Sequence, residues 1–306
     1  MKRAVAGPGM PFTHLLLGLL VVAIWGTNFV VMDVGLSHFP PLTFAGLRFA
    51  LASLPLLLFV PQPRIAPARL VAYGLLSGVG QFGLMLYALS GHISPGLASL
   101  LIQAQAFFTV GLASLLSREP VRTGNLVALA LCAAGILLVA ANMGGDADLT
   151  GILLVLGAAF SWAGANIVVK RAGAINMLAL VVWSGPIAAG PLLAVALLLE
   201  GPAAMAGSVA SADGGAWATL AWQCLGNALF GYAVWNWLLS RHPAAEVAPI
   251  GLLVPIFGLS ASAWFAGESM PPWKLAAAAL VLGGLGINLA ASRRAAKLAS
   301  PASRAT

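Results

Sequence analysis

Ten apolar runs, each long enough to cross a bilayer, take up most of this chain and leave few folds open to it. At about 1.5 Å rise per residue, a helix of roughly 20 residues spans the ~30 Å hydrocarbon layer. Such runs fall at residues 14–33, 41–59, 70–89, 95–116, 123–141, 151–171, 178–199, 217–239, 245–265 and 273–291. Pro40-Pro41, the segment from Pro61 to Pro67, Gly144-Gly145-Asp146, Gly201-Pro202, His242-Pro243 and Pro271-Pro272 punctuate them. Of 306 residues 60% are hydrophobic and 8% charged, against about 25% charged in soluble domains. No water-soluble fold can hide that much apolar surface, so the expectation is an all-α integral membrane protein of ten transmembrane helices.

Charge then orients the helices. Of the 15 Lys and Arg residues, Arg48 lies within a span. If the N-terminus is placed in the cytoplasm, only Lys274 falls outside. Lys2, Arg3, Arg64, Arg69, Arg118, Arg122, Lys170, Arg171, Arg241, Arg293, Arg294, Lys297 and Arg304 all fall inside, which predicts both termini on the cytoplasmic side. The net charge of +7 is therefore topological; the basic residues are scattered rather than gathered on one face, and no nucleic-acid partner is implied. The basic start and long apolar run without a small-residue cleavage site read as a first membrane helix, not a removable signal. Cys132 and Cys224 have neither CxxC spacing nor a neighbouring His and read as apolar filler.

A repeat divides the chain. Asn28 to Gly35, NFVVMDVG, returns at Asn166 to Gly173 as NIVVKRAG, 138 positions on (166 − 28). Met32-Asp33 in the first copy becomes Lys170-Arg171 in the second, as expected if the copies enter the membrane in opposite directions. Leu89-Ser90-Gly91-His92 matches Leu239-Ser240-Arg241-His242 at an offset of 150 (239 − 89), and Glu119 matches Glu268 at 149 (268 − 119). The longer offset puts an insertion between the seventh and eighth runs, where residues 200–216 form the longest polar connection. The predicted organisation is a cytoplasmic tail at 1–13, a five-helix repeat at 14–141, a periplasmic linker at 142–150, an inverted five-helix repeat at 151–291 and a cytoplasmic tail at 292–306.

With WGTNFVVMDVG in the first helix, PLTFAGLRFALAS in the second and a Glu before a Gly-bearing last helix in each half, the chain resembles the EamA-type transporters of the drug/metabolite transporter superfamily. The resemblance covers roughly residues 14–291. Within the superfamily the chain is most similar to bacterial inner-membrane exporters of aromatic and other neutral amino acids, the YddG type. One departure is Trp162, which stands four rather than three positions before its Asn.

Polar side chains inside spans are costly against lipid and should face a wetted pathway or another helix. Trp25 and Asn28 share one face of the first helix; Tyr73, Ser77 and Gln81 recur at spacings of four in the third, with Tyr87 near its end. Ser99 and Gln103 lie on one face of the fourth and Gln105 on another. Trp162 and Asn166 mark the sixth, and Asn227, Tyr232, Trp235 and Asn236 the eighth. These are the candidate solute-contacting residues. The alternative for each amide is a hydrogen bond to a neighbouring helix, and for Trp a place in an interfacial belt, as for Trp217, Trp222, Trp264 and Trp273.

Arg48 has two readings, a partner for a substrate carboxylate or a structural pair with Asp33 or helix-end carbonyls. Glu119 and Glu268 read as caps of the helices that follow them or as ion-coupling carboxylates. His92 and His242 read as solvated turn residues or proton sensors. Pro95, Pro249 and Pro255 are candidate hinges, with simple packing bends as the alternative. Gly74, Gly78, Gly283, Gly284 and Gly286 are expected at close helix contacts. No catalytic constellation, metal cluster or cofactor motif stands out, which argues against an enzyme. The expected partners are a small-molecule substrate and the lipid bilayer, with no required protein partner. The functional expectation is an exporter of neutral amino acids working by alternating access. A carrier of sugars or nucleoside-like compounds, or a non-transporting scaffold, is the alternative.

Overall fold

The computed structural model describes residues 10–117, 123–173 and 175–299. Among them all regular structure is helical, apart from one isolated antiparallel bridge between Ile93 and Ala147. Eight of the helices are long and apolar enough to cross a membrane. In chain order the elements are α1 (Phe12–Leu36), α2 (Pro41–Ser53, carried by a 3-10 turn to Leu56), α3 (Pro67–Leu89), α4 (Pro95–Leu116), α5 (Thr123–Ala141), α6 (Leu149–Ala172) and α7 (Met177–Leu199). They continue with α8 (Pro202–Ala210), α9 (residues 214–241), α10 (residues 244–265) and α11 (Pro272–Ala299). Pro41, Pro67, Pro95, Pro202 and Pro272 each open a helix, where the missing N–H costs nothing and the fixed φ favours the first turn.

One connection departs from expectation. Residues 200–216 are not an open polar loop: Gly201, at φ 83°, reverses the chain, and Pro202 then starts α8, built from helix-favouring Ala and Met. Glu119, with Arg118 and Arg122, lies outside the described residues.

Contacts between connections show that the helices run alternately up and down. At one end, here the distal end, Ser94, Asp146, Glu268 and Lys274 meet, as do Thr43 with Glu200 and His92 with Asp148. At the other, proximal end, Arg69 donates to the carbonyl of Arg171, which donates in turn to the carbonyl of Leu116, and His14 meets His242.

Small residues set the closest approaches. A Cβ on Gly26 of α1 would lie 2.5 Å from Val254 O and Phe257 Cβ of α10, so the two backbones touch. Gly74 and Gly78 of α3 likewise face Ile187 and Ala188 of α7, and Gly284 of α11 faces the Ala128 carbonyl of α5. Gly283 and Gly286, expected at a similar contact, meet nothing within 4 Å. They point away from the α5 seam because only every third or fourth residue faces a partner helix.

Two kinds of distortion recur at matching places. A π-helical stretch occupies Leu75–Gly83 of α3 and another Trp222–Phe230 of α9, 147 positions apart (222 − 75). α4 tightens to a 3-10 step at Ile102–Ala104, and α10 breaks at Leu252-Leu253, 150 positions on (252 − 102). Pro249 and Pro255 flank the second break. Pro95, by contrast, is simply the first residue of α4. The distal parts of α4 and α10 pack on each other. Their proximal parts take different partners, α6 for residues 105–117 and α1, α9 and α11 for residues 244–251.

Candidate binding crevice

Trp25 and Asn28 project from α1 onto the π-helical part of α9. The Trp25 indole N–H donates to the Asn227 carbonyl at 3.2 Å, and the buried Asn28 Oδ1 accepts from Gln223 Nε2 at 2.8 Å. Beyond them the Trp25 ring meets Tyr232 and Trp235, with centroids 5.8 and 5.2 Å away. Gly231 lies directly under the indole, where a Cβ would collide with its nitrogen. Wide π turns disturb the regular backbone ladder and are frequent at functional sites. Gln223 was missed in the sequence, although its spacing of four from Asn227 puts both amides on one face.

Arg48 reaches from α2 into a cavity closed by Tyr73, Ser77 and Phe82 of α3, Ser184 of α7 and Tyr232 of α9. It pairs with neither Asp33 nor a helix-end carbonyl. Its guanidinium carbon instead lies 3.6 Å from the Phe82 ring centroid and 4.8 Å from that of Phe49, and Nη1 has no hydrogen-bond partner. Seven residues inside α2, the side chain is too far from the helix start at Pro41 to reach its open groups. The cavity holds about 20 Å³, room for a water molecule and not for a metabolite. The Ser77 hydroxyl donates back to the Tyr73 carbonyl at 2.7 Å.

The remaining candidates divide. Asn166 of α6 donates to Gln105 Oε1 at 3.0 Å, tying α6 to α4, and Trp162 packs beside a small core of Leu70, Tyr73, Ala165 and Leu180. Gln103, half-buried, sits in the 3-10 step of α4, and Gln81 keeps a buried Oε1 without a partner. Ser99 is fully buried, donates to the Gly96 carbonyl at 2.7 Å and fills the space beside Gly258, which makes it part of the α4–α10 contact. Tyr87 is exposed and stacks on His92 at the distal end, not on Trp25, Tyr232 or Trp235.

Carboxylates organise the distal end. Glu268 does not cap α11. It accepts from the Gly96 backbone N–H at 2.9 Å and the Ser94 hydroxyl at 2.7 Å, capping α4 from across the bundle, and also from the Ser262 hydroxyl. The fully buried Lys274 ammonium lies 2.7 Å from Glu268 and 2.8 Å from Asp146. Glu200 caps α2 in the same manner, taking the N–H groups of Leu42 and Thr43 at 2.6 and 3.0 Å and the Thr43 hydroxyl at 2.6 Å. Asp148 caps its own helix and meets His92 at 2.8 Å; that hydrogen bond and the Gly151 N–H hold its carboxyl below the usual range. The Ala216 N–H does the same for Asp213. His92 and His242 are therefore not simply solvated, since His242 Nε2 lies 2.7 Å from His14 Nδ1. A hollow of about 650 Å³, lined by Asp33, His92, Ser94, Asp146 and Asp148 among others, opens above the Glu268 cluster.

A bundle of membrane-length apolar helices with amide and aromatic side chains drawn together at its centre defines a multi-pass membrane protein with the parts of a solute carrier. The chain belongs to the EamA-like transporter family, whose sequence profile matches it twice, at residues 12–141 and 149–290. It is 40% identical over 279 residues to a "Probable amino-acid metabolite efflux pump" of Salmonella typhimurium, covering 89% of this chain and 93% of the relative. A protein of the same name from Escherichia coli is 37% identical over 279 residues, with the same coverage. A solved crystal structure shares the fold at a TM-score of 0.61 and 17% identity, over 95% of this chain and all of the other.

Proposed function

We propose that this protein exports neutral amino acids and similar small metabolites from the cytoplasm across a bacterial inner membrane. It does so by alternating access between two five-helix halves of opposite orientation, residues 14–141 and 151–291. The observation that carries this reading is the matched distortion of the two halves. Each has a π stretch in its third membrane helix and a distortion in its fourth, a 3-10 step in α4 and a break in α10, and these flank the polar and aromatic centre. Repeats built this way rock about a site near the bilayer midplane.

The state described fits closure at the distal end. α4 and α10 lie together there, and the Glu268–Lys274–Asp146 cluster ties the last turns of α10 to the start of α4. Toward the proximal end the two helices part. With the basic residues of the proximal connections taken as cytoplasmic, this is a carrier facing inward, with both termini in the cytoplasm. The centre offers Asn28, Gln223 and Asn227 beside Trp25, Tyr232 and Trp235, groups suited to a zwitterion with an apolar side chain and poorly suited to a polyanion. The names of the two bacterial relatives support amino-acid metabolites as the substrate class.

Liposomes that carry the purified protein and are loaded with labelled neutral amino acids should release them faster than protein-free liposomes loaded in the same way. A parallel run with an imposed proton gradient tests coupling. Release no faster than the lipid leak would remove the transport reading. Cysteines placed at Asp33 and Lys170 should label from opposite sides of the membrane; labelling from one side would remove the inverted halves.

A further inference from the structure

We infer that Arg48 anchors the carboxylate of the transported solute, so that the carrier selects molecules with a free carboxylate joined to an apolar or aromatic body. The inference rests on the export reading above and names the chemistry of the same site.

Arg48 is only 3% exposed, and Nη1 lacks any hydrogen-bond acceptor. No carboxylate lines its cavity, whose other ionisable members are Tyr73 and Tyr232. Lys274, the other buried cation among the described residues, is satisfied by two carboxylates and a backbone carbonyl. An arginine inside a membrane helix with no acid beside it is costly, and such residues mark substrate pathways by default.

The geometry also leaves Nη1 free for the missing partner. Phe82 stacks on the face of the guanidinium at 3.6 Å, and stacking engages only that face. The N–H donors point outward in the guanidinium plane, the direction from which a carboxylate binds through two parallel hydrogen bonds. The cavity at Arg48 lies where α2 and α3 meet α7 and α9, at the junction of the two family repeats. Tyr232 links it to the aromatic cluster, lining the cavity while its ring sits 5.8 Å from Trp25. A carboxylate held at Arg48 would therefore direct an apolar side chain toward Trp25, Tyr232 and Trp235. The void beside Arg48 is small here, so binding requires the helices around it to separate, as alternating access demands.

The test measures inhibition of labelled phenylalanine flux in proteoliposomes by unlabelled phenylalanine and by phenylalaninamide, which lacks the carboxylate charge. In the wild type the amide should compete about 10–150-fold more weakly, the range for losing one charge-assisted hydrogen-bonded contact. Arg48→Gln should bring the two compounds within about threefold of each other. Arg48→Lys, which keeps the charge and loses the planar fork, should fall between. Equal competition by both compounds in the wild type overturns the inference without any variant being made. So does undiminished discrimination in Arg48→Gln. Wild-type protein that transports phenylalanine yet ignores the carboxylate leaves the export reading standing, whereas protein that moves no amino acid at all removes both.

Discussion

The Lys274 ammonium, with no exposed surface, lies 2.7 Å from a Glu268 carboxylate oxygen that has almost none. Removing one member of such a pair strands the other, at a typical cost of about 3–5 kcal/mol. Lys274→Met should therefore lower the thermal midpoint in detergent. It should also loosen the distal seal: a cysteine at Ala98, buried beneath the cluster, should react faster with a membrane-impermeant thiol reagent than in the parent. An unchanged labelling rate would confine Lys274 to a stabilising role.

Glu200 offers a second test of the same end. It satisfies two backbone N–H groups and a hydroxyl at the start of α2, so Glu200→Ala should cost about 1–2 kcal/mol by the usual loss on removing a cap. Glu200→Gln keeps an acceptor oxygen and should recover a good part of that. Denaturation of the three proteins side by side gives the ranking.

Acid should act through Asp148. Its carboxyl is held below its ordinary value by the His92 hydrogen bond and the Gly151 N–H. A group depressed on folding contributes stability that is complete above its unfolded value of about 4 and is lost as pH falls through the lower folded value. The thermal midpoint of Asp148→Asn should thus lie below that of the wild type at pH 5–7. The gap should close as pH drops below about 4. A gap of constant size would mean that the carboxylate charge plays no part.

Pro255 is the second residue of the distal segment of α10, just after the break at Leu252-Leu253. Pro255→Ala returns an N–H that allows the ladder to continue through the break. The variant should insert normally and transport more slowly, by about threefold or more if flexure there accounts for even ~0.7 kcal/mol of the barrier. Wild-type flux rates would make the break a packing feature only.

Much of the architecture was legible because the bilayer allows so few choices. Span length, proline starts and the Asn28–Gly35 repeat all follow from local rules, and the helices fall close to where those rules put them. The amide positions Asn28 and Asn166 were equally visible, since a polar group in an apolar run needs a partner. Their partners, Gln223 and Gln105, were harder to find because they depend on which helices become neighbours. The first π stretch left no mark beyond its three glycines, and the second, with one, left none. Glu268 was misread as a cap of its own following helix because a local rule was applied to a residue whose partners lie 172 and 174 positions away. Arg48 has neither the Asp33 nor the helix-end carbonyl partner that was offered beside its substrate-carboxylate reading, because an aromatic face on another helix cannot be foreseen from spacing.

The carboxylates of Glu200 and Glu268 belong to the second family repeat, and the helix starts they close belong to the first. The first repeat thus does not finish its own peptide hydrogen bonding at that rim. Should the rim part, the amides of Leu42, Thr43 and Gly96 have only solvent to turn to, so solvent must invade before the gap can widen. Wetting of the rim would then be the first event of opening at that end, and how fast the carrier turns over would depend on how readily a few water molecules replace two side chains.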